Sequence, residues 1–240
     1  MPLTGEETHN TLRETTEAQT PVRLAVFDFD GTSIEGNSPV MLVRYLLKHD
    51  MLKKRDAFRI LMWGAAYKLR LPQNESWVRG LVFSAFEGKP VAEVNQFLAD
   101  FYDNHIAKRF RAQADDAMRK HQAAGDVVMV VSASFEPIIL RAMEHHPFTM
   151  QVSTRMKIAP DGTYTRQVDG KPIEGAQKLV AVQEFADETF GPGAWELVAA
   201  YGDHHSDRTI LSAAKQAYAV DPDRPLTRTA RRLGWPVLDW

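Results

Sequence analysis

Residues 22 to 32 read Val22-Arg23-Leu24-Ala25-Val26-Phe27-Asp28-Phe29-Asp30-Gly31-Thr32. An apolar run suited to a β-strand stops abruptly at two aspartates, a glycine and a threonine. The pattern recurs downstream. Val127-Val128-Met129-Val130-Val131 ends in Ser132-Ala133-Ser134, and Glu196-Leu197-Val198-Ala199-Ala200-Tyr201 ends in Gly202-Asp203. Ala217 to Val220 ends in Asp221-Pro222, and Pro236-Val237-Leu238 suits a short edge strand. Unbroken apolar runs of this kind fit strands buried on both faces of a parallel sheet. Polar residues at their C-terminal ends mark the rim where open parallel sheets place their sites.

Helical periodicity fills the intervals. Pro137 to Glu144, Lys178 to Phe190, Asp207 to Lys215 and Leu226 to Leu233 read as amphipathic helices. Strands alternating with helices predict an α/β fold, a three-layer Rossmann-like core around a parallel sheet. About 100 residues separate the first strand from the second, whereas a crossover needs only about a dozen. The surplus carries helical patterning at Val40 to Lys48, Ala57 to Leu69, Trp77 to Phe86 and Val91 to Ile106. It predicts a helical insertion over 34–111, with 21–33 and 112–240 forming the core. Residues 151–165, with Asp161-Gly162 at the turn, read as a β-hairpin.

Composition sets outer bounds. The chain has 240 residues, a formal net charge of −2, 44% hydrophobic residues and no cysteine. That excludes disulfides, thiolate nucleophiles and cysteine-ligated metals, and it argues against a general nucleic-acid binder. The longest apolar run, Ile60 to Tyr67, is far below the roughly 20 residues of a membrane-spanning helix. With no signal-peptide pattern, a cytoplasmic protein is expected. Residues 1–20 hold Arg13 against Glu6, Glu7, Glu14 and Glu17, and read as a mobile acidic tail. Residues 51–71 hold Lys53, Lys54, Arg55, Arg59, Lys68 and Arg70 against Asp56 alone. That segment reads as a solvated helix or as a surface for anionic substrate or membrane.

Asp28 and Asp30, two apart on a strand, point to one side. Carboxylates that close want a cation or a shared proton. Ser132 and Asp203 end other strands, Asp207 follows Asp203 by one helical turn, and Lys178 opens a helix. Spacing places Asp203 and Asp207 on one helix face. Together these residues suit phosphoryl transfer. Oxygen ligands hold magnesium, a carboxylate can attack phosphorus, and hydroxyl, backbone N–H and lysine neutralise the phosphoryl oxygens. Spacing alone does not say which aspartate is nucleophile and which is acid/base.

The order Asp28-Phe29-Asp30-Gly31-Thr32, Ser132-Ala133-Ser134, Lys178 and Gly202-Asp203 with Asp207 resembles the haloacid dehalogenase superfamily. His121 to Gly125, Glu174 to Lys178, Ala219 to Asp223 and Gly234 to Leu238 resemble its phosphoserine-phosphatase-like IB subfamily. The resemblance implies that the insertion is a type-1 cap selecting substrate. It implies Asp28 as nucleophile and magnesium ligand, and Asp30 as acid/base with its backbone carbonyl on the metal. Thr32, Ser132, Ala133 and Lys178 would bind the phosphoryl group, Asp203 the metal, and Asp207 would support it. The expected function is a magnesium-dependent phosphatase acting on a small phosphorylated metabolite. A lipid phosphate of the phosphatidylglycerophosphate type, reached through peripheral membrane contact by 51–71, is the alternative. A receiver-like phospho-aspartate module lacks any need for Asp30 or the insertion. Glu35, Asn37, Arg59, Trp63, Arg79 and Arg155 are candidate substrate readers by location, and Ile173 reads as structural. His204 and His205 read as rim histidines or as a second metal or pH-sensing pair.

Overall fold

The computed structural model describes residues 20–52, 55, 58, 79–80 and 82–240. The central strand is β1 (Val22–Asp28). It is flanked by β2 (Val127–Phe135) and β6 (Trp195–Gly202), both parallel to it. With β3 (Met150–Thr154), β7 (Gln216–Val220) and β8 (Val237–Leu238), they form a six-stranded sheet in the order β3-β2-β1-β6-β7-β8. Asp28 lies opposite Val131, and Phe27 opposite Tyr201, so the C-terminal ends of β1 and β6 come level while β2 runs past them to Phe135.

The unbroken apolar runs have the predicted cause. Ala25, Phe27, Val128 and Val130 pack on one face of the sheet with Met118, Ile138, Ile139 and Ala142. Those partners sit on α3 (Ala112–Ala123) and α4 (Glu136–Met143). Leu24, Val26, Met129, Val131 and Leu197 pack on the other with Val182, Ala186 and Ile210. These belong to α5 (Ala176–Phe190) and α6 (Arg208–Ala213). A third cluster seats α7 (Arg224–Leu233) through Leu226 and Ala230 on Ala200, Ala217 and Ala219. Alternate residues of β1 and β2 are buried on opposite sides, so no polar face is left to interrupt the pattern. Asp223 caps α7 by accepting from the Leu226 N–H at 2.7 Å, and Gly234 stops it in a left-handed conformation.

Between β1 and β2 lie α1 (Ser38–Lys48) and α2 (Val91–Phe101). Leu42, Leu46, Phe83, Phe86, Leu98 and Phe101 join the same apolar cluster as Phe27. The chain leaves and re-enters the core on adjacent tracks. Glu35 N–H donates to the Arg109 carbonyl at 2.8 Å, and Arg111 N–H donates to the Ser33 carbonyl at 2.9 Å.

Several expectations need correction. The reading of 151–165 as one hairpin is half right. Met156–Ile158 (β4) pairs antiparallel with Tyr164–Val168 (β5), but Met150–Thr154 joins the main sheet beside β2. Met150 and Val152 pack against the second apolar cluster there, which a free hairpin would leave exposed. The single helix expected over Val91 to Ile106 ends at Phe101 and continues as a π-helical turn, Tyr102–Ile106. Ser132 does not end its strand, because β2 runs on to Phe135. Asp203 and Asp207 do not share a helix face. Asp203 follows the last residue of β6, and Asp207 closes a 3-10 turn, His205–Asp207. The helix expected over Ala57 to Leu69 apart from Phe58, the tail over 1–20 apart from Thr20, and most of the basic stretch 51–71 lie outside the described residues.

Candidate active site

Asp28 is buried at the end of β1, and its Oδ1 lies 2.7 Å from Lys178 Nζ. Lys178, near the start of α5 and 5% exposed, also donates to Asp207 Oδ1 at 2.7 Å. One ammonium therefore bridges two buried carboxylates. Burial by itself pushes a lysine down; the attraction of Asp28 and Asp207, with hydrogen bonds to both, outweighs it and holds Lys178 above its ordinary range. Burial pushes the Asp28 carboxyl well above its ordinary value. Lys178 pulls it back, while Asp207 and Asp203 push it further up. Burial and the nearby Asp207 push Asp203 up to about 6.

Asp203 faces this group from the end of β6. Thr32, fully buried, donates its hydroxyl to Asp203 Oδ1 at 3.1 Å. The approach is close enough to require glycine in the loop: a Cβ on Gly31 would fall 2.2 Å from Asp203 Oδ2, and Gly31 has φ +83°. The loop is wound tightly under Asp28, with the Ser33 hydroxyl donating to the Asp28 carbonyl at 2.6 Å. Arg111 braces the same loop. It donates to the Gly31 carbonyl at 3.3 Å and to the Trp240 carbonyl, and pairs with Asp221 at 2.6 Å.

Asp30 turns to different partners. Its Oδ2 accepts from the Ser134 hydroxyl at 2.6 Å, and its Oδ1 accepts from the Ser38 main-chain N–H. Burial pushes its carboxyl up, and the hydrogen bonds from Ser134 and Ser38 oppose that. Ser132, fully buried, accepts from the Ser134 N–H at 3.0 Å.

Oxygen atoms of Asp28, Asp203 and Asp207 all lie within 4.8 Å of one another. Three hard carboxylates at that separation fit a magnesium ion, whose charge would offset both the burial and the mutual repulsion that raise Asp28 and Asp203. Neither rim histidine belongs to that cluster. His204 Nδ1 pairs with the Ser206 hydroxyl at 2.9 Å, and its main-chain N–H donates to Asp207 at 3.3 Å, so it serves to hold the turn. Ile173 packs in the second apolar cluster, as a structural residue should.

The structure thus bonds Asp28 and Asp207 to Lys178 and Thr32 to Asp203, brings the three carboxylates within 4.8 Å of one another, and links Asp30 and Ser132 to each other through Ser134. Of the candidate substrate readers, Glu35 and Asn37 are exposed, and Asn37 caps α1 by accepting from Val40. Arg155 is exposed and pairs with Asp169. Arg79 pairs with Glu174, and its Nη1 is buried with no hydrogen-bond partner among the described residues. Arg59 and Trp63 lie outside the described residues. Sequence reasoning passed over Ser38, Ser134 and Arg111. Ser134 carried a signal, lying two residues from Ser132 in the same motif; Ser38 and Arg111 carried none.

The profile of haloacid dehalogenase-like hydrolases matches residues 25–212. The chain belongs to that family. A phosphoserine phosphatase of Mycobacterium tuberculosis is 27% identical over 230 residues, covering 93% of this hydrolase and 74% of that protein. A histidinol-phosphatase of Neisseria meningitidis is 25% identical over 236 residues, covering 90% and 98%. Among solved structures, a protein of unknown function from Bordetella pertussis superposes with a TM-score of 0.81 at 24% identity, over 92% of this chain and 99% of that one. A phosphoserine phosphatase in a phospho-aspartyl analogue form superposes at 0.60 with 18% identity, over 91% and 93%. These superpositions establish the shared fold. The family match also removes the receiver-like alternative.

Proposed function

We propose that this hydrolase is a magnesium-dependent phosphatase that cleaves a phosphate monoester through an aspartyl-phosphate on Asp28. Phosphoric monoester hydrolysis is the class on which the family and its phosphatase-named relatives agree. The observation that carries the finer reading is the division between the two aspartates. Asp28 sits with Lys178, Asp203 and Asp207, and Asp30 sits apart on serine donors. That division supports Asp28 as nucleophile and Asp30 as acid/base, the choice that spacing left open.

Asp28, Asp203 and the main-chain carbonyl of Asp30 would hold magnesium, with Asp207 supporting them. When bound, the ion supplies positive charge to the phosphoryl oxygens. The Asp28 carboxylate attacks phosphorus, and Asp30 gives its proton to the departing alcohol oxygen as the P–O bond breaks. Asp30 then takes a proton from water, which attacks the acyl phosphate and releases inorganic phosphate and free Asp28. Lys178, the Thr32 and Ser132 hydroxyls and the N–H at Ala133 bind the phosphoryl oxygens. Uncatalysed monoester hydrolysis is among the slowest reactions known, so fixed charges must supply much of the acceleration.

As proposed, the helices inserted between β1 and β2 form a cap that selects a small phosphorylated metabolite in the cytoplasm. Arg79, half-buried and with its Nη1 unsatisfied among the described residues, is the described candidate reader best suited to an anionic group on that substrate. No described helix is long and apolar enough to cross a membrane. Hydrolysis of p-nitrophenyl phosphate with and without magnesium tests the reading. Metal-dependent release of nitrophenol by the wild type, lost in Asp28→Asn, is expected; equal rates with and without metal would overturn it.

A further inference from the structure

We infer that Ser134 is a positioning residue for Asp30, and that through Ser38 it ties this carboxylate to the first turn of α1. The inference rests on the proposed role of Asp30 as acid/base. Ser134 is 2% exposed and Ser38 fully buried, so neither hydroxyl has water as a ready alternative partner. Their oxygens are 2.6 Å apart. A serine hydroxyl has a single hydrogen. With the Asp30 carboxylate ionised, Ser134 gives its hydrogen to Oδ2 at 2.6 Å, which leaves Ser38 as the donor to Ser134. The other carboxylate oxygen takes the Ser38 main-chain N–H. Both oxygens of Asp30 are thereby held, one from β2 and one from α1.

A buried serine that only needed satisfaction would find a carbonyl near itself in sequence. Ser134 instead reaches 104 residues to Asp30 and 96 to Ser38. Local geometry makes this reach. The pairing of β2 with β3 slips between Ser132 and Phe135, a bulge that re-aims the side chains of that stretch. The Ser134 N–H also donates to Ser132, so one dipeptide step links the proposed phosphate-binding hydroxyl to the acid/base. Two short hydrogen bonds to one carboxylate fix its rotamer, and proton transfer is sensitive to displacements of about 1 Å.

The consequence is a dependence on leaving group. Asp30 gives its proton to the leaving oxygen as the P–O bond breaks. Phenyl phosphate, with a basic leaving oxygen, needs that proton far more than p-nitrophenyl phosphate does. In Ser134→Ala, kcat/KM for phenyl phosphate should fall about tenfold or more, and for p-nitrophenyl phosphate less than about threefold. Inhibition by inorganic phosphate should stay at the wild-type constant, since the phosphate-binding groups are untouched. Ser134→Thr, which keeps the hydroxyl, should restore the wild-type ratio. Ser38→Ala should shift the ratio the same way by less, and it keeps the inference testable if Ser134→Ala fails to fold. Equal losses on both substrates, or an unchanged ratio in Ser38→Ala, would overturn the inference while leaving the phosphatase reading intact. A wild-type enzyme inactive on both substrates with magnesium would instead overturn the phosphatase reading, and the inference with it.

Discussion

On one side of the loop that follows β1, Asp28 meets a lysine and two further carboxylates. On the other, two residues along the chain, Asp30 meets the Ser134 hydroxyl and the Ser38 main-chain N–H. The first side is ionic and over-supplied with negative charge. The second holds a single carboxylate on neutral donors. Burial raises both aspartates, but only Asp28 has a buried cation bonded to it. The contrast is what supports the proposed division of labour between the two carboxylates. A nucleophile wants a cation beside it, and an acid/base wants donors that fix its orientation without a full charge.

The sharpest way to break this comparison is to remove the carboxylate of the ionic side. Asp28→Asn should lower turnover of p-nitrophenyl phosphate by at least about 10⁴-fold, measured with magnesium present; residual activity near wild type would show that the ionic side is not where the nucleophile sits. Removing the cation comes next. Lys178→Ala should cost about 10²–10³-fold in kcat. It should also destabilise the fold by about 3–5 kcal/mol in urea unfolding, because Asp28 and Asp207 stay buried with no counter-charge. On the hydroxyl side, the equivalent loss in Ser134→Ala should be smaller and confined to poor leaving groups, as set out above. Gly31→Ala probes the loop between the two sides. Its Cβ would collide with Asp203 at a φ that alanine rarely adopts, so activity should fall about tenfold or more.

The smallest effect separates the sides by pH. Asp203 is pushed up to about 6 in the fold from an ordinary 3.8. Between those values the folded protein binds more protons than the unfolded one, so this group's contribution favours folding below pH 4 and fades as pH rises through 6. Without divalent metal, the melting temperature should therefore fall by a degree or more between pH 5 and pH 7. Millimolar magnesium should raise it and flatten the dependence, because the ion binds only the folded carboxylates. An identical pH slope with and without magnesium would mean the ionic side does not hold the metal.

The contrast also explains what could be read in advance. The ionic side was legible because carboxylates and a lysine at strand ends and helix starts have few structural uses. The parallel sheet was legible because strands buried on both faces leave an unbroken apolar run, as in Val127 to Val131. The hydroxyl side was not. Whether Ser134 points into the site depends on the bulge in β2, and Ser38 reaches it because the first turn of α1 packs against the loop that carries Asp30. Serines at such places are also ordinary caps and strand ends, so identity alone carried no weight. Residues 151–154 join the main sheet although they read as a hairpin arm, because a strand at the sheet's edge and the first arm of a hairpin share one alternating pattern. The break between Asp203 and Asp207 escaped because a spacing of four suits both an α-helical turn and a strand end followed by a 3-10 turn.

The central claim is that the phosphoryl group passes through the carboxylate of Asp28. Rapid quenching during turnover, followed by borohydride reduction and peptide mass spectrometry, reads it directly, since borohydride converts an acyl phosphate at aspartate to homoserine. The account predicts homoserine at position 28, dependent on substrate and magnesium, with Asp30 unmodified. Modification at position 30, or none at 28 under conditions of steady turnover, would contradict it.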